Sequence, residues 1–196
     1  MIFFYSSTGN SRHVANRLAK ALNTSPTDIS HFEKAAIELA DTDLYVVTFN
    51  CFWGVSEKVR SFLTQTKFLH VRNVTFVLTC GGYGGGADLQ IEQICKDISL
   101  PKPTIHSLKM VSNYSILHAV PSRHKQQKYL KRADRRLERI INGQAKAYKS
   151  PYLIRRLQPY VHGHMGNIKS IRLLIHSMFL THASLVVDVL ATVRYR

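Results

Sequence analysis

The chain predicts an α/β fold, a doubly wound five-stranded parallel sheet with a basic, helical C-terminal extension, and three observations carry that reading. Apolar runs of strand length alternate with stretches of helical periodicity along residues 1–111, which gives β-α-β units. The runs are apolar along nearly their whole length, as strands covered on both faces are. Three of them end in turns rich in hydroxyls, aromatics or glycines, and in a doubly wound sheet such turns share the carboxyl edge.

Ile2-Phe3-Phe4-Tyr5 reads as a buried strand leading into Ser6-Ser7-Thr8-Gly9-Asn10-Ser11. Val14, Leu18 and Leu22 then recur at i, i+4 and i+8, one face of a helix. Thr27–Phe32 predicts a short second strand and Lys34–Ala40 a short helix. Asp43–Phe49 is the third strand, followed by the turn Asn50–Gly54 and a helix with Val55, Val59, Phe62 and Leu63 inward. Val74–Thr79 is the fourth, running into Cys80–Gly86 and a helix carrying Leu89, Ile91, Ile94, Cys95 and Ile98. The fifth spans Thr104–Val111, behind Pro101 and Pro103. From Pro121, Lys125, Lys128, Lys131, Arg132, Arg135, Arg136 and Arg139 interleave with Tyr129, Leu130, Ala133, Leu137 and Ile140, a long basic amphipathic helix that Asn142-Gly143 ends. Residues 1–145 form the domain in this reading, and 146–196 the extension.

The first turn has the chemistry of an anion site. A helix N-terminus presents unpaired N–H groups and the positive end of its dipole, and Ser6, Ser7, Thr8 and Ser11 add hydroxyls. With one glycine and no lysine it matches neither the triphosphate loop nor the dinucleotide loop. Neutral donors suit a terminal phosphomonoester. A plain helix cap is the alternative, but one hydroxyl suffices for a cap. In the second turn Phe52 and Trp53 stand where a planar ring could stack, or where two core aromatics could end a strand, and Gly54 frees a peptide to reorient. The third turn holds five glycines around Tyr83, a backbone suited to close approach of a ligand or to simple flexibility. Nothing near Cys80 in sequence depresses its pKa, which favours inert packing.

Composition bounds the rest. Three separated cysteines, Cys51, Cys80 and Cys95, argue against a disulfide framework and for a reducing compartment. Met1 enters the first strand without a basic leader, so the expected location is cytoplasmic. Net charge is +15, and all of it lies in the second half: residues 1–100 hold 9 Lys/Arg against 9 Asp/Glu, residues 101–196 hold 18 against 3. A solvated face is one reading. An acidic partner, anionic lipid or non-specific nucleic acid contact is the other.

Strand, S-S-T-G-N-S and helix, then F-W-G after the third strand and C-G-G after the fourth, resemble the flavodoxin half of the bacterial flavodoxin-ferredoxin fusion family over roughly residues 1–145. The resemblance implies a flavodoxin-like sheet holding FMN. Ser6, Ser7, Thr8, Gly9, Asn10 and Ser11 would hold its phosphate. Asn50, Cys51, Phe52, Trp53 and Gly54 would flank one side of the ring, with Thr79, Cys80, Gly81, Gly82, Tyr83 and Gly84 on the other. In flavodoxins a peptide in the F-W-G loop flips on reduction. Where that family has a proline and a tyrosine nearby, this chain has Phe49 and Cys51, a departure that bears on stacking and redox tuning.

The family's ferredoxin module is missing, for residues 145–196 contain no cysteine. Val186, Val189, Thr192 and Arg196 repeat the spacing of its ligands without a thiolate. His162-Gly163-His164 is too sparse for a metal site, and no metal is expected. Ile171–Val193 is apolar but interrupted by Arg172, His176, His182 and Asp188, which favours a buried or interfacial helix over a membrane span. The leading expectation is an FMN-binding electron carrier with no catalytic acid or base, docking an acidic redox partner on its basic half. Membrane-surface contact is a further option and specific nucleic acid binding is not expected. The alternatives are a flavin-dependent oxidoreductase using NAD(P)H or a quinone, which turnover would reveal, and a flavin-free binding module on the same fold, which would leave FMN unbound.

Overall fold

A computed structural model describes residues 1–32, 36–50, 54–82, 84–112 and 121–151. Among them the elements run β1 (Ile2–Phe4), α1 (Asn10–Ala21), β2 (Pro26–Asp28), β3 (Ala36–Phe49), α2 (Glu57–Gln65), β4 (Lys67–Cys80), α3 (Ala87–Asp97), β5 (Thr104–Lys109) and α4 (Arg123–Ile141). The strands form one parallel sheet in the order β2-β1-β3-β4-β5. The chain therefore reverses its winding direction between β1 and β3, the switch point at whose carboxyl ends doubly wound sheets bind ligands.

Alternation of side chains along each strand sorts the core into two layers. Phe3, Leu44, Val46, Phe76, Leu78 and Ile105 pack toward α2 and α3, against Val59, Phe62, Leu63, Ile91 and Ile94. Ile2, Phe4, Val47, Val77 and Leu108 face α1 and α4, against Val14, Leu18, Ala133 and Leu137. Phe62 is the hub of the first layer, its ring 4.9 Å from Phe3, 4.8 Å from Phe32 and 5.7 Å from Phe68. Such a residue is worth about 3–5 kcal/mol on truncation to alanine.

The helix expected over Lys34–Ala40 is corrected. From Ala36 onward the segment is strand, pairing Ala36 with Lys67 and Glu38 with Leu69 before the register slips between Glu38 and Asp43. Helix-forming Ala, Glu and Leu are overridden by pairing with β4, itself seven residues longer at its start than the expected Val74–Thr79. Asp41 (φ 47°) and His70 (φ 56°) take left-handed backbone at this irregularity.

Met1–Pro151 forms one compact unit and Tyr152–Arg196 a second, which lies outside the described residues together with everything expected of it. Among the described residues no helix is long and apolar enough to cross a membrane.

Candidate functional site at the carboxyl ends of the strands

The first turn leaves β1 beside β3, with the Tyr5 N–H donating to Val47 O at 3.0 Å. Gly9 is the N-cap of α1 at φ 95°, a conformation that favours glycine, and no side chain caps the helix. The Ser6 hydroxyl instead accepts from the Gly9 N–H at 3.0 Å, which folds the turn on itself. The first amides of α1 have no partner within the helix, and Ser7, Thr8 and Gly9 stand exposed before them. Among the described residues no side chain caps this N-terminus, and Ser6, Ser7 and Thr8 precede it in the turn.

The Ser11 hydroxyl does not join those three. It is buried and hydrogen-bonded to the Thr79 hydroxyl at 3.1 Å, so Ser11 offers the turn its backbone N–H alone. Asn10 also reaches away, its Nδ2 donating to Val111 O at 2.9 Å and tying the first turn to the chain after β5. Thr79 binds the second turn as well: its carbonyl accepts from the Asn50 N–H at 2.9 Å. The ends of β1, β3, β4 and β5 are thus brought into one locus.

Cys51, Phe52, Trp53 and Tyr83 lie outside the described residues. Gly54 is buried against the Gln90 side chain of α3, whose Oε1 also accepts from the Val55 N–H at 2.7 Å. Phe49 packs on Tyr5 with ring centroids 5.5 Å apart and planes tilted by 35°, so both aromatics stand half-buried at the switch point. In the third turn the glycines divide by role. A Cβ on Gly81 would lie 2.6 Å from Ser112 Cβ and one on Gly84 2.9 Å from Tyr148 Cζ, whereas one on Gly82 would meet nothing within 4 Å among the described residues.

Cys80 is buried, with Sγ 3.3 Å from Ser107 Oγ. Burial pushes its thiol above the usual range despite the Ser107 hydroxyl and the charges of Lys109 and Arg136, and the protonated thiol is a packing group rather than a nucleophile. Cys95, under α3, is pushed up to about 12 by burial.

The strand order decides the fold family at this point. The fold is flavodoxin-like. Among solved structures the chain is similar to a short-chain flavodoxin associated with a non-canonical PDU bacterial microcompartment, at 16% identity over 74% of this chain and 97% of that one, TM-score 0.43. It is similar to an azoreductase from Bacillus anthracis str. Sterne, at 7% identity over 72% and 98%, TM-score 0.47. A third likeness is to an NAD(P)H:quinone oxidoreductase from Methanothermobacter marburgensis, at 12% identity over 76% and 97%, TM-score 0.42. No family model and no curated protein matches the chain.

Elsewhere in the domain, α4 separates its charges. Ser122 caps it, and Ala133, Leu137 and Ile140 are buried. Its two carboxylates turn to α1, Asp134 to His13 at 2.9 Å and Glu138 to Arg17 at 3.2 Å. Arg136 turns to the sheet, its Nε donating to Ser107 O at 2.9 Å. Lys125, Lys128, Lys131, Arg132, Arg135 and Arg139 remain exposed.

Sequence reasoning missed four participants: Tyr5, Ser112, Tyr148 and Ser150. Tyr5 was legible as a strand end. The other three reach the site only through tertiary packing, and no local pattern marks them.

Proposed function

We propose that this chain binds FMN at the carboxyl ends of β1, β3 and β4 and serves as an electron carrier. The observation that carries this reading is the N-terminus of α1, left without a side-chain cap at the topological switch point and surrounded by small neutral donors. Ser6, Ser7 and Thr8, with the amides of Asn10 and Ser11, would hold the phosphate. Gly82 and its neighbours from Thr79 to Gly84, with Asn50 to Gly54 opposite, would frame the ring. The open space over Gly82 fits close approach of a flat ring, and the half-buried Tyr5–Phe49 pair fits a water-poor border to it. When bound, the flavin supplies the electron transfer, and the protein anchors, orients and tunes it. The three turns that resemble the flavodoxin half of the fusion family support the same assignment. The stretch after residue 145 carries no cysteine, so no iron-sulfur cluster enters the proposal.

The test is to titrate the full chain with FMN and follow quenching of flavin fluorescence. Saturation near one flavin per chain is the expected result, and fluorescence that stays unquenched with FMN in excess overturns the reading. Oxidation of NAD(P)H with a quinone by the loaded protein would replace the carrier with the enzyme. For the partner, we propose an acidic redox protein docking on α4, because both α4 carboxylates are spent on α1 and the exposed face is left cationic. Reversing Lys131 and Arg135 to glutamate should slow electron delivery to an acidic acceptor most at low salt, since surface steering is screened within about 10 Å at 0.1 M. Equal rates at low and high salt would remove α4 from the docking face.

A further inference from the structure

We propose that the segment following α4, through Tyr148 and Ser150, holds the glycine-rich third turn in the shape its ligand meets. Tyr148 is a positioning residue in this view, and its ligand role rests on the flavin reading above.

Within the turn the Ala87 N–H donates to Gly84 O at 3.3 Å, and its glycines bring no side chains to hold it. Between Cys80 and Ala87 the described residues are all glycine, the residue type that loses most conformational freedom on ordering. Gly86, at the head of α3, provides no side-chain cap. Further order comes from outside, and the chain after α4 supplies it at three points. The Tyr148 N–H donates to Ile105 O at 2.6 Å, which fixes the segment along the edge strand β5. The Tyr148 hydroxyl donates to Gly85 O at 2.7 Å, gripping the turn where Gly85 adopts φ 58°. Ser150 closes the far end, its N–H and hydroxyl both donating to Asp88 Oδ2, at 2.8 and 3.1 Å. Asp88 is buried in the first turn of α3, where the helix dipole favours a carboxylate.

The fit is reciprocal. The Tyr148 ring occupies the volume that a Cβ on Gly84 would need, so glycine there is what admits the ring. Gly81 is filled in by Ser112 in the same way, and Gly82 alone of the three is left facing open space. The turn is held at Gly81 and from Gly84 to Asp88. A ligand arriving at Gly82 meets a main chain whose ordering cost has already been met, which is the general route by which preorganisation raises affinity.

Tyr148→Phe keeps the ring and removes one hydrogen bond, and Ser150→Ala removes one of two at the other end. Both are made in the full chain and read by amide hydrogen exchange and by FMN titration. Exchange of the amides from Gly84 to Leu89 should accelerate roughly three- to tenfold while those of Val14 to Leu18 hold their rate, and the Kd for FMN should rise by a similar factor, the worth of one hydrogen bond. Exchange that stays slow in both variants overturns the clamp. Faster exchange with an unchanged Kd overturns its role toward the ligand. Failure of the unsubstituted chain to take up FMN overturns the flavin reading and that ligand role together, while the exchange result still decides the clamp.

Discussion

The first and third turns leave β1 and β4, two strands with β3 between them, at the same carboxyl edge of the sheet, yet they are built on opposite plans. The first shapes itself: Ser6 takes the Gly9 N–H, Gly9 sits at φ 95°, and Ser11 and Asn10 anchor the start of α1 to Thr79 and Val111. The third is shaped by others, with Ser112 against Gly81 and Tyr148 against Gly84. A charged phosphate rewards a fixed set of donors at a helix N-terminus. In the flavin reading, a flat ring would reward a bare main chain held in place, and the holding side chains lie far away in sequence.

The largest effect that distinguishes the two plans is expected in the third turn. Gly81→Val forces a branched side chain onto Ser112, whose Cα would already lie 3.0 Å from the new Cβ. It should cost up to about 3 kcal/mol, as overpacking does. Gly82→Ala, facing open space, should stay within about 0.5 kcal/mol yet weaken FMN binding. Urea midpoints and FMN titrations read both, and equal stability of the two variants would contradict the division of roles among the glycines. Ser11→Ala comes next, at about 1–2 kcal/mol, since it strips a buried partner from the Thr79 hydroxyl. Gly9→Ala should cost about 1 kcal/mol, because its Cβ meets nothing and only the backbone conformation is strained. If Ser11→Ala left stability unchanged, the first turn would not be anchored through Thr79.

The contrast also explains how far the sequence could be read. Strand runs such as Val74–Thr79 and helical faces such as Val14 and Leu18 announce themselves by local periodicity, and the described elements follow them closely. The first turn is legible because its chemistry is contiguous: hydroxyls, a glycine and a helix start lie side by side. Which way a serine points is not a local property, so four hydroxyls in sequence became three around the turn and one, Ser11, in the core. The start of β3 was illegible for a related reason. Ala36–Ala40 has helix-forming composition, and only pairing with Lys67–Leu69 makes it a strand. Tyr148 stands 63 residues from Gly85, beyond any spacing rule. Glycines show that a backbone must bend or be approached, and leave open what approaches it.

The smallest expected effect lies under the segment that carries Tyr148 and would separate the two turns by pH. His106, on β5, is buried, and its Nδ1 has no hydrogen-bond partner among the described residues. Burial pushes its pKa below the ordinary 6.5, the nearby Arg136 charge pushes the same way, and a hydrogen bond with the Lys146 backbone opposes them. A histidine whose folded pKa is depressed is held neutral by the fold. Its contribution to stability is complete above 6.5, and it is lost as the pH falls from there toward the folded value, because the unfolded chain takes up a proton that the folded chain refuses. Acidification below 6.5 should therefore lower the urea midpoint and the protection of the amides from Gly84 to Leu89 relative to their intrinsic exchange rates, where the same segment grips the third turn, before it affects Val14 to Leu18 in α1. His106→Gln should flatten both responses. A pH dependence that survives the substitution would assign the titration to another group and leave the two turns alike in their response to acid.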